Sequence, residues 1–105
     1  MKLMTKEIKR TAQKQYIEGS DMDQMVVAKF FNPVGSWTWY LMNMADNGDY
    51  CWGIVEGNEV EMGSFSMREL EGIKRPFGLG IERDTMFEPM RAKDVWDALN
   101  RGEHV

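Results

Sequence analysis

The residues that carry most nucleophilic and metal chemistry are nearly missing from this chain of 105 residues: it has one cysteine, Cys51, and one histidine, His104. A single cysteine rules out an internal disulfide and a cysteine-based zinc site. A lone histidine next to the C-terminus, where chains fray, leaves Cys/His and Ser/His/Asp catalysis without a positioned base. Cys51 itself reads as a small buried hydrophobe. Long apolar runs are missing too. No stretch approaches the roughly 18 apolar residues of a membrane span, and Lys2, Lys6, Lys9 and Arg10 near the start have no apolar segment behind them to make a signal peptide. A cytoplasmic protein without membrane association is expected. Phosphate-cradling loops are absent as well: Gly78-Leu79-Gly80 lacks the third glycine of a dinucleotide fingerprint and reads as a turn. Asp21-Met22-Asp23 and Asp46-Asn47-Gly48-Asp49 lack the twelve-residue spacing of a calcium loop and also read as turns. No cofactor is implied.

What the chain does have is the composition of a globular protein, with 43% apolar, 11% aromatic and 29% charged residues. That predicts one compact domain spanning residues 1–105. Thr5 is an N-cap for a first helix in which Ile8, Thr11, Ala12, Gln15 and Tyr16 fall at helical spacing with Lys6, Lys9, Arg10 and Lys14 outward, ended by Gly19-Ser20. Alternation over Met25–Phe31 predicts a strand. Trp37–Ala45, Tyr50–Glu56 and Glu59–Phe65 then read as an antiparallel meander, joined by two-residue turns at Asn47-Gly48 and Gly57-Asn58. Ser66-Met67-Arg68-Glu69 fits a capping box for a short helix closed by Pro76. Leu79–Phe87 reads as a fifth strand, and Ala92, Val95, Trp96 and Leu99 mark a closing amphipathic helix. The sum is an α+β fold: a four- to five-stranded antiparallel sheet with a central meander, and N-terminal, inserted and C-terminal helices packed mainly on one face.

Two-residue turns would set Met42 opposite Gly53, Tyr40 opposite Val55 and Glu56 opposite Glu59, which divides the meander into two faces. One face, from Tyr40, Met42 and Met44 through Cys51 to Met62, has no charge and suits the helices. The other collects Trp39, Tyr50 and Trp52 with Glu56, Glu59 and Glu61, and Trp52 would cover Gly63 across the strand. Left open, that mixed face is the candidate partner-binding surface: Trp and Tyr dominate interface energetics, and a cationic partner would relieve the repulsion between Glu56 and Glu59. Residues 46–71 hold seven acids against one base, while residues 1–20 hold five bases against two acids. A net charge of −4 and a pI near 5.0 speak against a phosphate-backbone binder as the global role. The ten methionines read mainly as gap fillers in the core. The best enzymatic alternative is a paired-carboxylate hydrolase using Glu59 and Glu61 or Asp46 and Asp49, which requires a concave pocket around the acids.

Phe30-Phe31-Asn32-Pro33 with Trp37-Thr38-Trp39-Tyr40, then Gly63-Ser64-Phe65-Ser66 with Glu69-Leu70-Glu71, then Pro76-Phe77-Gly78-Leu79 with Ile81-Glu82-Arg83-Asp84, resemble an uncharacterised family of short proteins from phages, plasmids and conjugative elements. The opening Met1-Lys2-Leu3-Met4-Thr5-Lys6-Glu7-Ile8 fits it as well, so the likeness covers about nine tenths of the chain in one order; the methionine load departs from it. The family is a domain of unknown function and brings no catalytic residues. What the resemblance implies is a genetic setting, in which small acidic proteins often block host defence machinery whose nucleic-acid channels are basic. The resulting expectation is a non-enzymatic inhibitor of a host defence nuclease complex, of anti-CRISPR or anti-restriction type, acting as a monomer or homodimer on a basic surface, with direct nucleic-acid binding not expected. The alternative is an accessory protein of phage or plasmid DNA metabolism that uses the basic first helix.

Overall fold

The computed structural model describes residues 3–73 and 79–105. Helix α1 spans Lys6–Lys14, and the Thr5 hydroxyl accepts a hydrogen bond from the Ile8 N–H at 3.0 Å, as its sequence signature requires. A 3₁₀ turn, Tyr16–Glu18, follows and ends at Gly19, whose φ of 56° suits glycine. Strands β1 (Met25–Val26), β2 (Ala28–Phe31), β3 (Thr38–Met44), β4 (Tyr50–Glu56) and β5 (Val60–Ser66) come next, then helix α2 (Met67–Gly72). Two short strands, β6 (Glu82–Arg83) and β7 (Met90–Arg91), precede helix α3 (Ala92–Asn100). The main sheet is antiparallel throughout and runs β5-β4-β3-β2-β6, while β1 and β7 form a separate ribbon. This is the α+β architecture the sequence predicts, a five-stranded antiparallel sheet with N-terminal, inserted and C-terminal helices. Helix closure by Pro76 and the Gly78 side of the 78–80 turn lie outside the described residues. Among the described residues no helix is long and apolar enough to cross a membrane.

The distribution of the helices differs from expectation in one respect that decides the rest. Along β3 the side chains alternate between two separate cores. Trp39 and Leu41 join Ala12 of α1, Phe30 of β2 and Met67 and Leu70 of α2 on one face. Tyr40 and Met42 join Ile54 of β4 and Ala92, Val95 and Leu99 of α3 on the other. Both faces are therefore roofed, α1 and α2 on one side and α3 on the other, and the open mixed face does not exist. Trp39 is 9% exposed, sealed on the α1–α2 side.

Two register shifts explain the difference. The loop between β3 and β4 keeps the expected Met44–Cys51 pair, but a bulge between Leu41 and Asn43 then sets Leu41, not Met42, opposite Gly53, and Trp39, not Tyr40, opposite Val55. The bulge is anchored from outside the sheet: the Gln15 side-chain amide, at the end of α1, donates to the Met42 carbonyl at 2.6 Å and to the Met25 carbonyl at 2.9 Å. Gly53 is required where the strands meet, because a Cβ there would stand 1.9 Å from the Tyr40 carbonyl oxygen. Between β4 and β5 the connection has three residues rather than two, so Glu56 pairs with Val60 instead of Glu59, and Gly53 with Gly63 instead of Met62. Trp52 pairs with Ser64, and no atom outside its chain neighbours lies within 4 Å of a Cβ built on Gly63, so the indole does not cover that glycine.

The predicted strand over Met25–Phe31 breaks at Val27, where the chain passes from one core to the other: Val26 is buried with the α3 group and Ala28 and Phe30 with the α1–α2 group. The predicted fifth strand contracts to Glu82–Arg83, a charged edge strand on β2, where short length and charge discourage further pairing.

Candidate functional site: two clefts on opposite sides of the sheet

The six residues expected to form one surface are divided by the register shifts. Glu59 and Glu61 lie exposed at the β4–β5 connection and line a cleft of about 370 Å³ together with Trp37, Val55, Gly57 and Asn58. Trp37 precedes β3 and is 43% exposed. Its ring leans on that of the buried Trp39, with centroids 6.2 Å apart at 31°. On its other side it lies against Gly57, where a Cβ would come within 2.6 Å of the indole. Trp39, expected as an anchor, instead supports the exposed indole from beneath. Glu56 projects to the opposite face, toward α3, because it directly follows Val55 in an alternating strand. There, burial first and then the charges of Glu56 and Asp84 hold the Tyr40 hydroxyl well above the usual phenol range.

Tyr50 and Trp52 take part in a different cleft, of about 490 Å³, with Tyr16, Gly19, Ser20 and Asn43. Tyr16 and Tyr50 meet edge to face, centroids 6.5 Å apart at 83°. Trp52 is half-buried against the α3 core, and its Nε1 is buried with no acceptor among the described residues.

Asp49 and Asp21 have local roles, and Asp46 lies exposed. Asp49 stands at the start of α2, where its Oδ1 accepts from the Arg68 N–H at 2.9 Å and the Ser66 hydroxyl at 2.7 Å. These bonds, the Arg68 one the stronger influence, hold its carboxyl below the usual carboxylate range. Ser66 in turn accepts from Glu69 N–H at 3.2 Å, the cap expected from sequence. Asp21 and Asn47 close turns on their own backbone, through Asp23 N–H at 2.8 Å and Asp49 N–H at 2.9 Å. Among the described residues no three His, Cys, Asp or Glu side chains converge as a metal site. Burial, and then the Asp49 charge, push the Cys51 thiol up to about 12.

Sequence reasoning missed Trp37, Tyr16 and Asn43. For Trp37 a signal was present, since a glycine in the facing turn is where a large ring can lie flat on backbone. Nothing local marked Asn43, whose position depends on the bulge.

Geometry thus defines a class: a small α+β protein with a sheet covered on both faces and two concave, ring-lined surfaces. The chain belongs to the DUF2958 family of proteins of unknown function, whose model matches residues 2–103. No curated protein and no solved structure matches it.

Proposed function

We propose that the protein is a non-enzymatic product of a mobile genetic element, a phage or plasmid, that acts in the host cytoplasm by binding and inhibiting a defence nuclease complex of anti-CRISPR or anti-restriction type. The docking element is the cleft at the β4–β5 connection, and the observation that carries this reading is the exposed Trp37 indole held beside Glu59 and Glu61. An aromatic anchor next to acids suits a basic, nucleic-acid-binding groove, where the ring supplies affinity and the carboxylates steer encounter. The chain's net charge of −4 favours the same kind of partner.

The test is inhibition and binding of purified CRISPR effectors and restriction enzymes by the wild type, Trp37→Ala and Glu59→Lys/Glu61→Lys. Inhibition of one of these by the wild type is expected, with affinity lost at least tenfold in both variants, because a hot-spot truncation costs about 2 kcal/mol or more. Equal binding by the charge-reversed protein would end the steering claim. The concavity at Glu59 and Glu61 is also what a paired-carboxylate hydrolase needs, and Glu59→Gln/Glu61→Gln separates the two: a binder keeps much of its contact surface, whereas a hydrolase loses turnover. The accessory DNA role rests on Lys6, Lys9, Arg10 and Lys14, all exposed on α1. It predicts a salt-sensitive gel shift weakened by Lys6→Glu/Arg10→Glu, and no shift at low salt removes it.

A further inference from the structure

The two edges of the main sheet are finished differently. At one edge, β6 is two residues long and charged. At the other, β5 runs seven residues, Val60–Ser66, contains no proline or lysine, and keeps an unbroken register with β4. The Gly57 N–H donates to the Glu59 carbonyl at 3.0 Å and the Met67 N–H to the Asp49 carbonyl at 2.9 Å, both on the register that pairs Gly53 with Gly63. Hydrogen-bonded pairs alternate along an antiparallel ladder, so Glu61, Gly63 and Phe65 turn their N–H and C=O groups toward β4, while Val60, Met62 and Ser64 turn theirs outward. β5 has no second neighbour in the sheet, and among the described residues nothing bonds to these outward groups. A row of free donors and acceptors is thus left on a strand whose only obstacle to further pairing is the charge of Glu61.

The side chains beside this edge set the chemistry of what pairs there. On the α1–α2 face lie Glu61, which shares the cleft of about 370 Å³ with Glu59 and the Trp37 indole, and Gly63, where a Cβ would meet no atom within 4 Å beyond its chain neighbours. On the other face Val60 and Met62 pack against the α3 core, and Ser64 is exposed. An incoming strand meets carboxylates and open space on one side and apolar surface on the other, which suits a segment alternating arginine or lysine with an aliphatic residue. Long basic side chains have room over Gly63 to reach Glu61, and opposite charges across a strand pair are favourable. A second copy of this chain is disfavoured, because β5 against β5 would bring together two stretches that each hold seven acids against one base over residues 46–71. We propose that β5 is completed by an extended basic segment of a partner protein, added to the sheet as a sixth strand. The inference rests on the reading of the Trp37 cleft as a docking element for a basic partner, and adds the conformation that the partner takes.

The experiment is a ¹H–¹⁵N NMR titration of the full chain with a capped heptapeptide that alternates arginine and valine, matching the length of β5. Controls are the same peptide N-methylated on its valines, the same peptide N-methylated on its arginines, and a glutamate–valine analogue. Saturable shifts and slowed hydrogen exchange at the Val60, Met62 and Ser64 amides are expected with the arginine peptide. One N-methylated peptide, the valine form for antiparallel addition or the arginine form for parallel addition, should bind about tenfold more weakly or worse, and the other like the parent. Ser64→Pro removes an outward N–H at an exposed edge position, where proline is tolerated, and should weaken binding by about tenfold with the remaining spectrum preserved. Absence of saturable binding, equal binding by the glutamate analogue, loss with both N-methylated peptides or with neither, or shifts confined to Trp37, Glu59 and Glu61 overturns the strand addition, the last while leaving the docking cleft standing. Shifts at the three edge amides that grow with protein concentration in the absence of peptide give the edge to a second copy and overturn it as well. Failure of the wild type to inhibit any nuclease removes the proposed target without altering the peptide result.

Discussion

The two clefts are built by opposite means. The one at Trp37 belongs to a connection: its walls are a residue just outside β3 and a three-residue loop, and its ring rests on Gly57 and Trp39 rather than on a hydrogen-bond network. The one at Asn43 belongs to the framework, since its floor is buried and its amide is tied through Gln24 to the turn after α1. Surface connections can change with little effect on the fold, whereas a buried polar network fails together with its surroundings. Binding and stability should accordingly separate at the first cleft, whereas changes at the second should cost stability.

The strongest challenge to that contrast is Gly53→Ala. A Cβ 1.9 Å from backbone cannot be relieved by a side-chain rotation, so the variant should lose about 3 kcal/mol or more in urea denaturation, or fail to fold. Its cross-strand partner provides the control: Gly63→Ala meets open space and should stay within about 0.5 kcal/mol of wild type. Next in size, Gln15→Leu removes the donor to the Met42 and Met25 carbonyls and should cost about 1–3 kcal/mol, with the Asn43 and Trp52 NMR signals displaced and those of Glu59 and Glu61 unmoved. An equal disturbance at both clefts would mean they are not independent.

A smaller effect is expected from pH. The Asp49 carboxyl is held below its unfolded value, so its contribution is present above the ordinary carboxylate range and is lost as pH falls through the lowered value. Denaturation midpoints measured from neutral to acid pH should fall less steeply for Asp49→Asn than for wild type. Smallest in stability is Gly57→Ala, which pushes the tip of an exposed indole rather than backbone. It should stay within about 0.5 kcal/mol yet shift Trp37 fluorescence and weaken partner binding; a large stability loss would place Trp37 in the framework after all.

Much of the fold could be read from local chemistry. The Thr5 and Ser66 caps, the three meander strands, the Met44–Cys51 pair and the apolar edge of α3 at Ala92, Val95 and Leu99 all follow from side chains within a few residues of each other. What local chemistry could not supply was parity. One residue more in β3 and one more in the β4–β5 connection reversed which side chains share a face, and the candidate surface depended on that count. Gly53 was the available warning, since glycine inside a strand marks a bulge or a close backbone approach. The α3 helix offered no such sign: its amphipathic pattern fits either side of the sheet equally well.

The bulge at Met42 also sets a limit on how this chain can change length. With Met42 and Asn43 both turned toward the α3 side, Met44 returns to the α1–α2 side. Losing the codon of either of those two residues would remove the bulge and restore strict alternation with Met44 still on its own side, whereas losing one elsewhere in β3 would turn the side chains beyond it to the wrong face. Deletions in this strand should therefore be tolerated best at the bulge itself or in the connections at either end.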